Sequence, residues 1–176
     1  MVIGGWRGPG WRVVDADPAR ASWVRRWLRS AVTAHGCQAD PDDLALVATE
    51  LFANAVTHGP PGGRVLAGYC LHRHGARIVV CDGGGTTTTP RLLDGATQQQ
   101  DQGGRGLRIV ESLAAQWGSF RLPGAQIVWS DLGRPMHVPA ADAWAWLPPV
   151  LARWPLGPAP SAAVLVPAAA AMAATR

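Results

Sequence analysis

The sequence predicts an α+β domain in which three helices accompany a sheet built largely from hairpins. Three segments carry apolar residues at helical spacing and have capping or stop residues at their ends. Shorter apolar segments have the length of strands, and most of them pair around tight turns. Of the 176 residues, 48% are apolar, which suffices for one domain with its own core.

The first predicted helix and the strand before it lie near the start of the chain. The strand is predicted at residues 11–15. Asp17 then has the place of an N-cap, with Pro18 at the first helical position. Apolar residues recur at helical spacing as far as Val32, and Gly36 is suited to end the helix.

The second helix carries the clearest signals in the chain. Asp40 is its predicted N-cap, Pro41 is its first residue, and Gly59 follows its last residue. Two strands are predicted after it, at residues 65–71 and 77–81, and a short turn joins them into a hairpin. The second of these strands continues directly into a run of glycines.

A polar stretch, residues 86–102, separates this hairpin from the third helix. It has no hydrophobic period, so we expect a loop. The third helix opens at a glycine-rich turn, and its apolar face is expected to continue through Trp117 to a stop at Gly118. A closing hairpin is predicted across residues 120–130.

Composition divides the chain into three parts. Residues 1–10 are rich in glycine and are expected to form an N-terminal extension, and residues 11–134 form the predicted domain. Residues 135–176 are dominated by proline and alanine, with interspersed tryptophan. This tail is expected either to lie apart from the domain or to dock on it through its tryptophans.

All 16 basic residues are arginine, and this excludes two classes of nucleotide site. A Walker A loop and the ATP site of a eukaryotic-type protein kinase each require a lysine. Any phosphate chemistry must therefore rely on backbone N–H groups, arginine or a metal ion. The formal net charge is +4, yet the arginines are scattered, whereas nucleic acid binding favours a dense basic patch.

The three cysteines, Cys37, Cys70 and Cys81, fit neither a disulfide framework nor a zinc site. Their odd number and wide spacing are typical of free thiols in a reducing cytoplasm. The sequence has no recognisable secretion signal and no apolar run long enough to span a membrane. We therefore expect a cytoplasmic location without membrane contact.

Polar residues at intervals of four line one ridge of the second helix: Glu50, Asn54 and His58. The ridge borders the apolar stripe, where the lip of a pocket is expected. Asn54 can give an oxygen to Mg²⁺, and Glu50 can polarise an attacking hydroxyl or water. His58 either joins this group or satisfies backbone carbonyls at the helix end. Polar residues at a helix boundary without any such role are the alternative.

The segment Asp82-Gly83-Gly84 directly follows a buried strand. A carboxylate there can accept a hydrogen bond from an exocyclic amine such as N6 of adenine, and the glycines let the backbone approach a flat ring. A tight turn with aspartate as its first residue would give the same pattern.

The segment Gly103-Gly104-Arg105-Gly106 precedes the third helix. Consecutive N–H groups in such a loop can face inward beside the positive end of a helix dipole, which makes a phosphate cradle without lysine. Arg105 can add a cation. A flexible helix entry is the alternative, but the three segments together supply a metal ligand, a base contact and a phosphate cradle.

The order of these motifs resembles the GHKL superfamily of ATPases and kinases, which share the Bergerat ATP-binding fold. The segment from Glu50 to Gly59 is similar to the N box of that superfamily. Asp82-Gly83-Gly84 is similar to its first glycine box, and Gly104-Arg105-Gly106-Leu107 to its second. The most similar branch is that of the short anti-sigma-factor serine/threonine kinases, and the resemblance covers residues 11–133.

The resemblance implies a histidine-kinase-like ATPase fold, a two-layer α/β sandwich with helices on one face of a mixed sheet. It implies ATP and Mg²⁺ as cofactors, with Asn54 binding the metal, Asp82 binding the adenine amine and Glu50 acting as the catalytic base. Residues 86–102 would be a lid. The other nucleotide-binding residues implied are Gly84, Gly103, Gly104, Arg105, Gly106 and Leu107.

Two positions depart from the superfamily pattern. Thr86 stands where a further glycine is usual, and Gln126-Ile127-Val128 stands where the last strand usually carries a threonine near the adenine. Two functions therefore stay open. The first is a kinase that transfers the γ-phosphate of ATP to a serine of a partner protein in a partner-switching circuit. The second is a non-catalytic ATP-binding module that acts by protein binding.

The expected partner is an anti-sigma-factor antagonist or a sigma factor, and Trp23 and Trp27 on the first helix leave a homodimer open. A third alternative is an unrelated regulator that binds nucleic acid through Arg25, Arg26 and Arg29. Steep salt dependence of DNA binding would identify that class.

Overall fold

The computed structural model describes residues 2–3, 6–84, 104–122 and 124–134, and it confirms the α+β class. The predicted loop at 86–102 and the tail at 135–176 lie outside the described residues. In chain order the elements are β1 (Val2–Ile3), β2 (Trp6–Asp15), a 3-10 helix (Pro18–Arg20), α1 (Ala21–Ala34), α2 (Pro41–His58), β3 (Arg64–His72), β4 (Gly75–Asp82), α3 (Gly104–Leu113), β5 (Gln116–Leu122) and β6 (Ala125–Gly133).

The described strands form one sheet in the order β1-β2-β3-β4-β6-β5. Every pairing among them is antiparallel, which corrects the expectation of a mixed sheet. The topology gives the reason. β4 and β5, which flank α3 in the chain, run in the same direction, but β6 lies between them and pairs antiparallel with both.

All three helices pack on one face of this sheet, so the described residues form the two layers that the resemblance implied. Leu28 of α1, Leu51 and Phe52 of α2 are fully buried, and each contributes about 1.5–3 kcal/mol relative to exposure. The strand residues of this core alternate along their strands, as the pleat requires. They are Val14, Val65, Ala67, Tyr69, Leu71, Ala76, Ile78, Val80, Val128 and Leu132.

The second helix, α2, begins and ends where the sequence predicts. Oδ1 of Asp40 accepts hydrogen bonds from the N–H groups of Asp42 (2.7 Å) and Asp43 (3.2 Å), and so caps the helix. At the other end, the N–H of Gly59 donates to the carbonyl of Ala55 at 2.9 Å. These local bonds explain why the sequence alone located this helix.

The start of the chain differs from the prediction. β2 begins at Trp6 rather than at residue 11, and Val2–Ile3 adds a short strand beside it. Asp17 does cap a helix, because its side chain accepts from the N–H of Ala19 at 2.9 Å. The turn that it caps is the 3-10 helix, and α1 begins only after it.

The third helix is shorter than predicted. α3 ends at Leu113, and both Trp117 and Gly118 lie in β5. The N–H of Ala115 donates to the carbonyl of Asp131 at 2.8 Å, so the chain has joined the sheet by this point. Trp117 packs against the same core as α3, which is why its spacing resembled a continued helix.

No helix among the described residues has the length and hydropathy needed to cross a bilayer.

Candidate functional site

Two close approaches place the second half of α2 between α3 and the end of β4. A Cβ built on Gly106, at the start of α3, would lie 2.5 Å from Oε2 of Glu50. A Cβ built on Gly59, directly after α2, would lie 3.2 Å from Cβ of Asp82. Asn54 lies on the same helical ridge, one turn after Glu50. The fold therefore brings the three sequence motifs to one side of the molecule.

Glu50 presents a carboxylate to the first turn of α3. The side chain is partly exposed, and among the described residues it makes no hydrogen bond or ion pair. Only a glycine at position 106 leaves room for it in this position, because a Cβ there would meet its Oε2. The carboxylate is thus held at the entrance of the predicted phosphate loop without a partner from the described chain.

Asn54 has an amide whose Nδ2 is buried and has no hydrogen-bond partner among the described residues. Leaving such a group unpaired costs about 1–3 kcal/mol, and native proteins keep few of them. The two orientations of the amide have nearly the same shape, so a half-turn puts Oδ1 where Nδ2 now lies. An oxygen in that place is a ligand that Mg²⁺ accepts. Asn54 therefore fits a role in metal binding.

Asp82 is the buried carboxylate of the site, with 5% of its surface exposed. Burial raises its pKa above the ordinary value, while the N–H of Gly84 and the side chains of Arg121 and His58 oppose the shift. The N–H of Gly84 donates to Oδ1 at 2.7 Å. Gly84 has a φ of +68°, which favours glycine, so the turn after β4 needs this residue to close on Asp82.

Gln126 stands directly opposite Asp82 on β6, in the stretch 126–128 where the resemblance leads us to expect a threonine. Its Nε2 donates to the carbonyls of Phe120 (3.2 Å) and Ile127 (3.3 Å), and its Oε1 accepts from Nε of Arg121 (3.0 Å). The amide thus ties a cation to the strand beside the buried carboxylate. Sequence reasoning missed Arg121, although the register of the predicted hairpin would have placed it opposite Gln126.

The second glycine box forms the beginning of α3, whose first residue is Gly104. Leu107 is buried with 5% exposure, and the backbone of Gly106 faces Glu50. The first N–H groups of a helix have no partner within it, so this end suits an anion. Gly103 and the side chain of Arg105, both predicted to contact nucleotide, lie outside the described residues.

Within the described part of the chain, no group of three or more His, Cys, Asp or Glu side chains could hold a metal ion. A divalent ion at this site would therefore depend on Asn54, on water and on oxygens of a bound phosphate, which is how Mg²⁺ is commonly held beside nucleotides.

Comparisons with known proteins agree with this arrangement. The sequence profile of the histidine kinase-like ATPase domain matches residues 14–129, a stretch that contains all three motifs. A comparison with curated proteins gave no match.

Among solved structures, the chain is similar to the RsbU and RsbW domains of Rv1364c from Mycobacterium tuberculosis. The TM-score is 0.51 and the identity 24%, over 73% of this chain and 34% of that one. The chain thus spans about a third of that structure, and the likeness shows the fold alone. It is also similar to the histidine kinase domain of the blue-light activated histidine kinase from Erythrobacter litoralis EL346. There the TM-score is 0.41 and the identity 20%, over 66% of this chain and 60% of that one.

Proposed function

We propose that this chain, which belongs to the histidine kinase-like ATPase domain family, binds ATP with Mg²⁺. We further propose that it acts as a serine protein kinase of the anti-sigma-factor type. Family membership makes it a kinase-like ATPase domain and confirms the GHKL resemblance. The serine substrate, the requirement for Mg²⁺ and the regulatory partner are our proposals.

The pairing of Glu50 with Asn54 is the observation that carries this proposal. Among the described residues, the buried amide of Asn54 has no partner, and the carboxylate of Glu50, one turn away, makes no hydrogen bond or ion pair. A module that only bound ATP would need the amide but not the carboxylate. A general base beside the phosphate site is what phosphoryl transfer to a hydroxyl requires.

Each motif has a distinct role in the proposed reaction. When bound, Mg²⁺ would neutralise phosphate charge and orient the γ-phosphate. Asp82 and Gly84 hold the adenine amine, and the N–H groups at the start of α3 hold the phosphates. Glu50 takes the proton of the serine hydroxyl as its oxygen bonds to the γ-phosphorus and the bond to ADP breaks. The products are ADP and a phosphoserine protein.

The proposed substrate is a serine of a small antagonist protein, and a sigma factor is the other proposed partner. The resemblance to the short anti-sigma-factor kinases supports this, since Glu50–Gly59 is similar to the N box and Gly104–Leu107 to the second glycine box. The similar fold of a structure that includes an RsbW domain is in keeping with it.

A non-catalytic ATP-binding module is the second candidate, and Gln126 favours it. Its stretch lacks the usual threonine, and its side chain holds Arg121, whose charge acts on Asp82. A cation in that place can compete with the adenine amine for the carboxylate. The two candidates share the ATP site and differ only in whether Glu50 acts.

Calorimetric titration with ATP, in the presence and absence of Mg²⁺, tests the ATP site. We expect the native protein to bind only with Mg²⁺, and Asn54→Ala to lose binding because it removes the metal ligand. Thr57→Ala, an exposed position on the same helix, is the control that should bind normally. If the native protein fails to bind at millimolar nucleotide, the ATP proposal is wrong.

Labelled transfer from ATP to an anti-sigma-factor antagonist protein tests catalysis. Glu50→Gln keeps the size of the side chain but cannot accept the proton, so we expect transfer to fall by about 10²–10⁴-fold. ATP affinity, measured by the same titration, should stay within about twofold. Full transfer by Glu50→Gln would instead establish that this carboxylate has no role as base.

A further inference from the structure

The centre of the sheet face that turns away from the helices is buried as completely as the core. Strand register assigns its members, because residues directly opposite each other share a face. Leu66 is opposite Cys81, Cys81 is opposite Ile127, and Ile127 is opposite Phe120. We call this the second face, and its apolar centre consists of Leu66, Val79, Cys81, Phe120, Ile127 and Trp129.

Exposure at the apolar centre of the second face is close to zero, whereas Val13 at its β2 edge is 39% exposed. Val79, Cys81 and Ile127 have 0% exposure, and Leu66 has 2%. In β4 every residue is buried, both those that face the helices and those that face away from them. An antiparallel sheet with one solvated face alternates between buried and exposed residues. Another layer must therefore lie over the second face.

No described helix supplies that layer, although the ring of Trp11 from β2 lies over Gly68 on this face. The helices form a single core with the opposite face, and the second-face residues do not belong to it. The ring of Trp129 lies against Gly118, where a Cβ would be 3.0 Å from its Nε1. The guanidinium of Arg77 covers part of this ring, and Trp129 as a whole is only 7% exposed.

A buried ion pair on the second face leads to the same conclusion. Nε and Nη2 of Arg77 donate to the two carboxylate oxygens of Asp131 at 2.6 and 2.7 Å. Gln116 adds a third donor at 2.6 Å, and the guanidinium lies over the ring of Trp129 at 4.5 Å. The side chains of Arg77 and Asp131 are only 5% and 1% exposed, although surface ion pairs normally stay hydrated.

We propose that residues 141–156 of this chain cover the second face as a third layer. The segment contains Trp144, Trp146, Leu147, Val150, Leu151 and Trp154, a density of large apolar side chains that suits such a face.

The exit of the chain from the sheet suits this path. β6 is an inner strand that ends at Gly133, whose φ of +80° turns the backbone out of the strand. The N–H of Arg134 still donates to the carbonyl of His74 at 2.9 Å. Five strands span about 19 Å, which a few residues of extended chain can cross.

Other sources of cover fit less well. Residues 85–103 leave β4 beside the proposed ATP site and return to α3 there, and they hold few large apolar side chains. A second copy of the chain is not needed, since the burial is complete within one chain.

Native cysteines allow a direct test on the full-length protein. Cys70 and Cys81 lie on the second face, whereas Cys37 lies outside it and is partly exposed. Burial raises the pKa of Cys70 to about 12 and raises that of Cys81 as well, so both thiols should resist an uncharged alkylating reagent. Peptide mass spectrometry would follow the alkylation rate of each cysteine.

We expect Trp146→Glu together with Leu151→Glu to raise alkylation of Cys70 and Cys81 by at least about tenfold. Cys37 should change less than about twofold, because its surroundings do not include the proposed layer. The control is Ala169→Glu, which adds a charge to the tail outside the proposed segment. Continued protection of Cys70 and Cys81 in the double variant would overturn the proposal. So would protection that disappears on dilution, since that would identify a second copy as the cover.

If all three cysteines react faster in the double variant, it has unfolded, and a second measurement decides. A protease site inserted between Arg134 and Ala140 of the otherwise native chain is cut under native conditions. The released tail should then co-elute with the domain in gel filtration and separate only in denaturant. Separation in native buffer would refute the proposal.

Discussion

Asp82 combines burial at the end of a strand with its proposed role in binding adenine. Its carboxylate is withdrawn from water at the end of β4 and keeps one hydrogen bond, from Gly84. A buried acceptor with spare lone pairs discriminates strongly for a ligand that supplies a donor, because an unmatched ligand leaves the group unpaired. The pKa of Asp82 is raised because the carboxylate is withdrawn from water.

Asp82→Asn should change how stability depends on pH. A carboxyl whose pKa is raised on folding contributes stability below its unfolded pKa and loses that contribution as pH rises through its folded pKa. Relative to Asp82→Asn, the native protein should therefore lose unfolding free energy as pH rises from about 3 to 7, by about 1.4 kcal/mol per unit of pKa shift. Urea unfolding across this range measures the difference.

Asp43→Asn controls for the change in net charge, since Asp43 lies at the far end of α2. A difference between native protein and Asp82→Asn that stays flat with pH would contradict the raised pKa.

The contact between α2 and α3 is the decisive feature at the scale of elements. α2 carries Glu50 on its ridge, and α3 meets it with Gly106. Glycine in a helix is unfavourable by about 1 kcal/mol relative to alanine, so local propensity does not explain it here. The close approach of the two elements does.

Gly106→Ala should separate folding from catalysis. The added Cβ displaces the end of a flexible Glu50 side chain, and the gain in helix propensity offsets the strain, so we expect unfolding free energy to change by less than about 1 kcal/mol. Phosphoryl transfer should fall nearly as far as in Glu50→Gln. In a Glu50→Gln background the same change should have no further effect on transfer. Undiminished transfer by Gly106→Ala would mean that Glu50 need not lie against α3.

The buried pair of Arg77 and Asp131 acts at the scale of the whole molecule. It joins β4 to β6 across a long stretch of sequence, on a face that no described helix covers. Removing one partner leaves the other charge buried, which costs about 3–5 kcal/mol, whereas removing both together is often close to neutral.

Arg77→Met should therefore lower the unfolding free energy by about 3–5 kcal/mol, and Arg77→Met with Asp131→Leu should recover most of the loss. Chemical denaturation measures both variants. Arg12→Met is the control, because Arg12 is exposed over Trp27 and should matter by only about 0.5–1 kcal/mol. If the double variant is no more stable than Arg77→Met, the ion pair contributes more to stability than the apolar side chains that replace it.

Interactions within a few residues explain which features could be predicted from the sequence. Caps and stops such as Asp40 and Gly59 act within one turn, so α2 could be placed from the sequence alone. The three motifs could also be recognised, because each is a short run whose residue types suit one chemical task. The arrangement of the layers followed from resemblance to a known superfamily.

The positions of the three motifs relative to one another depend on the tertiary fold. The insertion of β6 between β4 and β5 made the sheet antiparallel, and pairing of Ala115 with Asp131 ended α3 before Trp117. The contact of Glu50 with Gly106, the cation beside Asp82 and the buried second face all join residues far apart in the chain. Such contacts depend on packing and strand register, which periodicity within one segment does not encode.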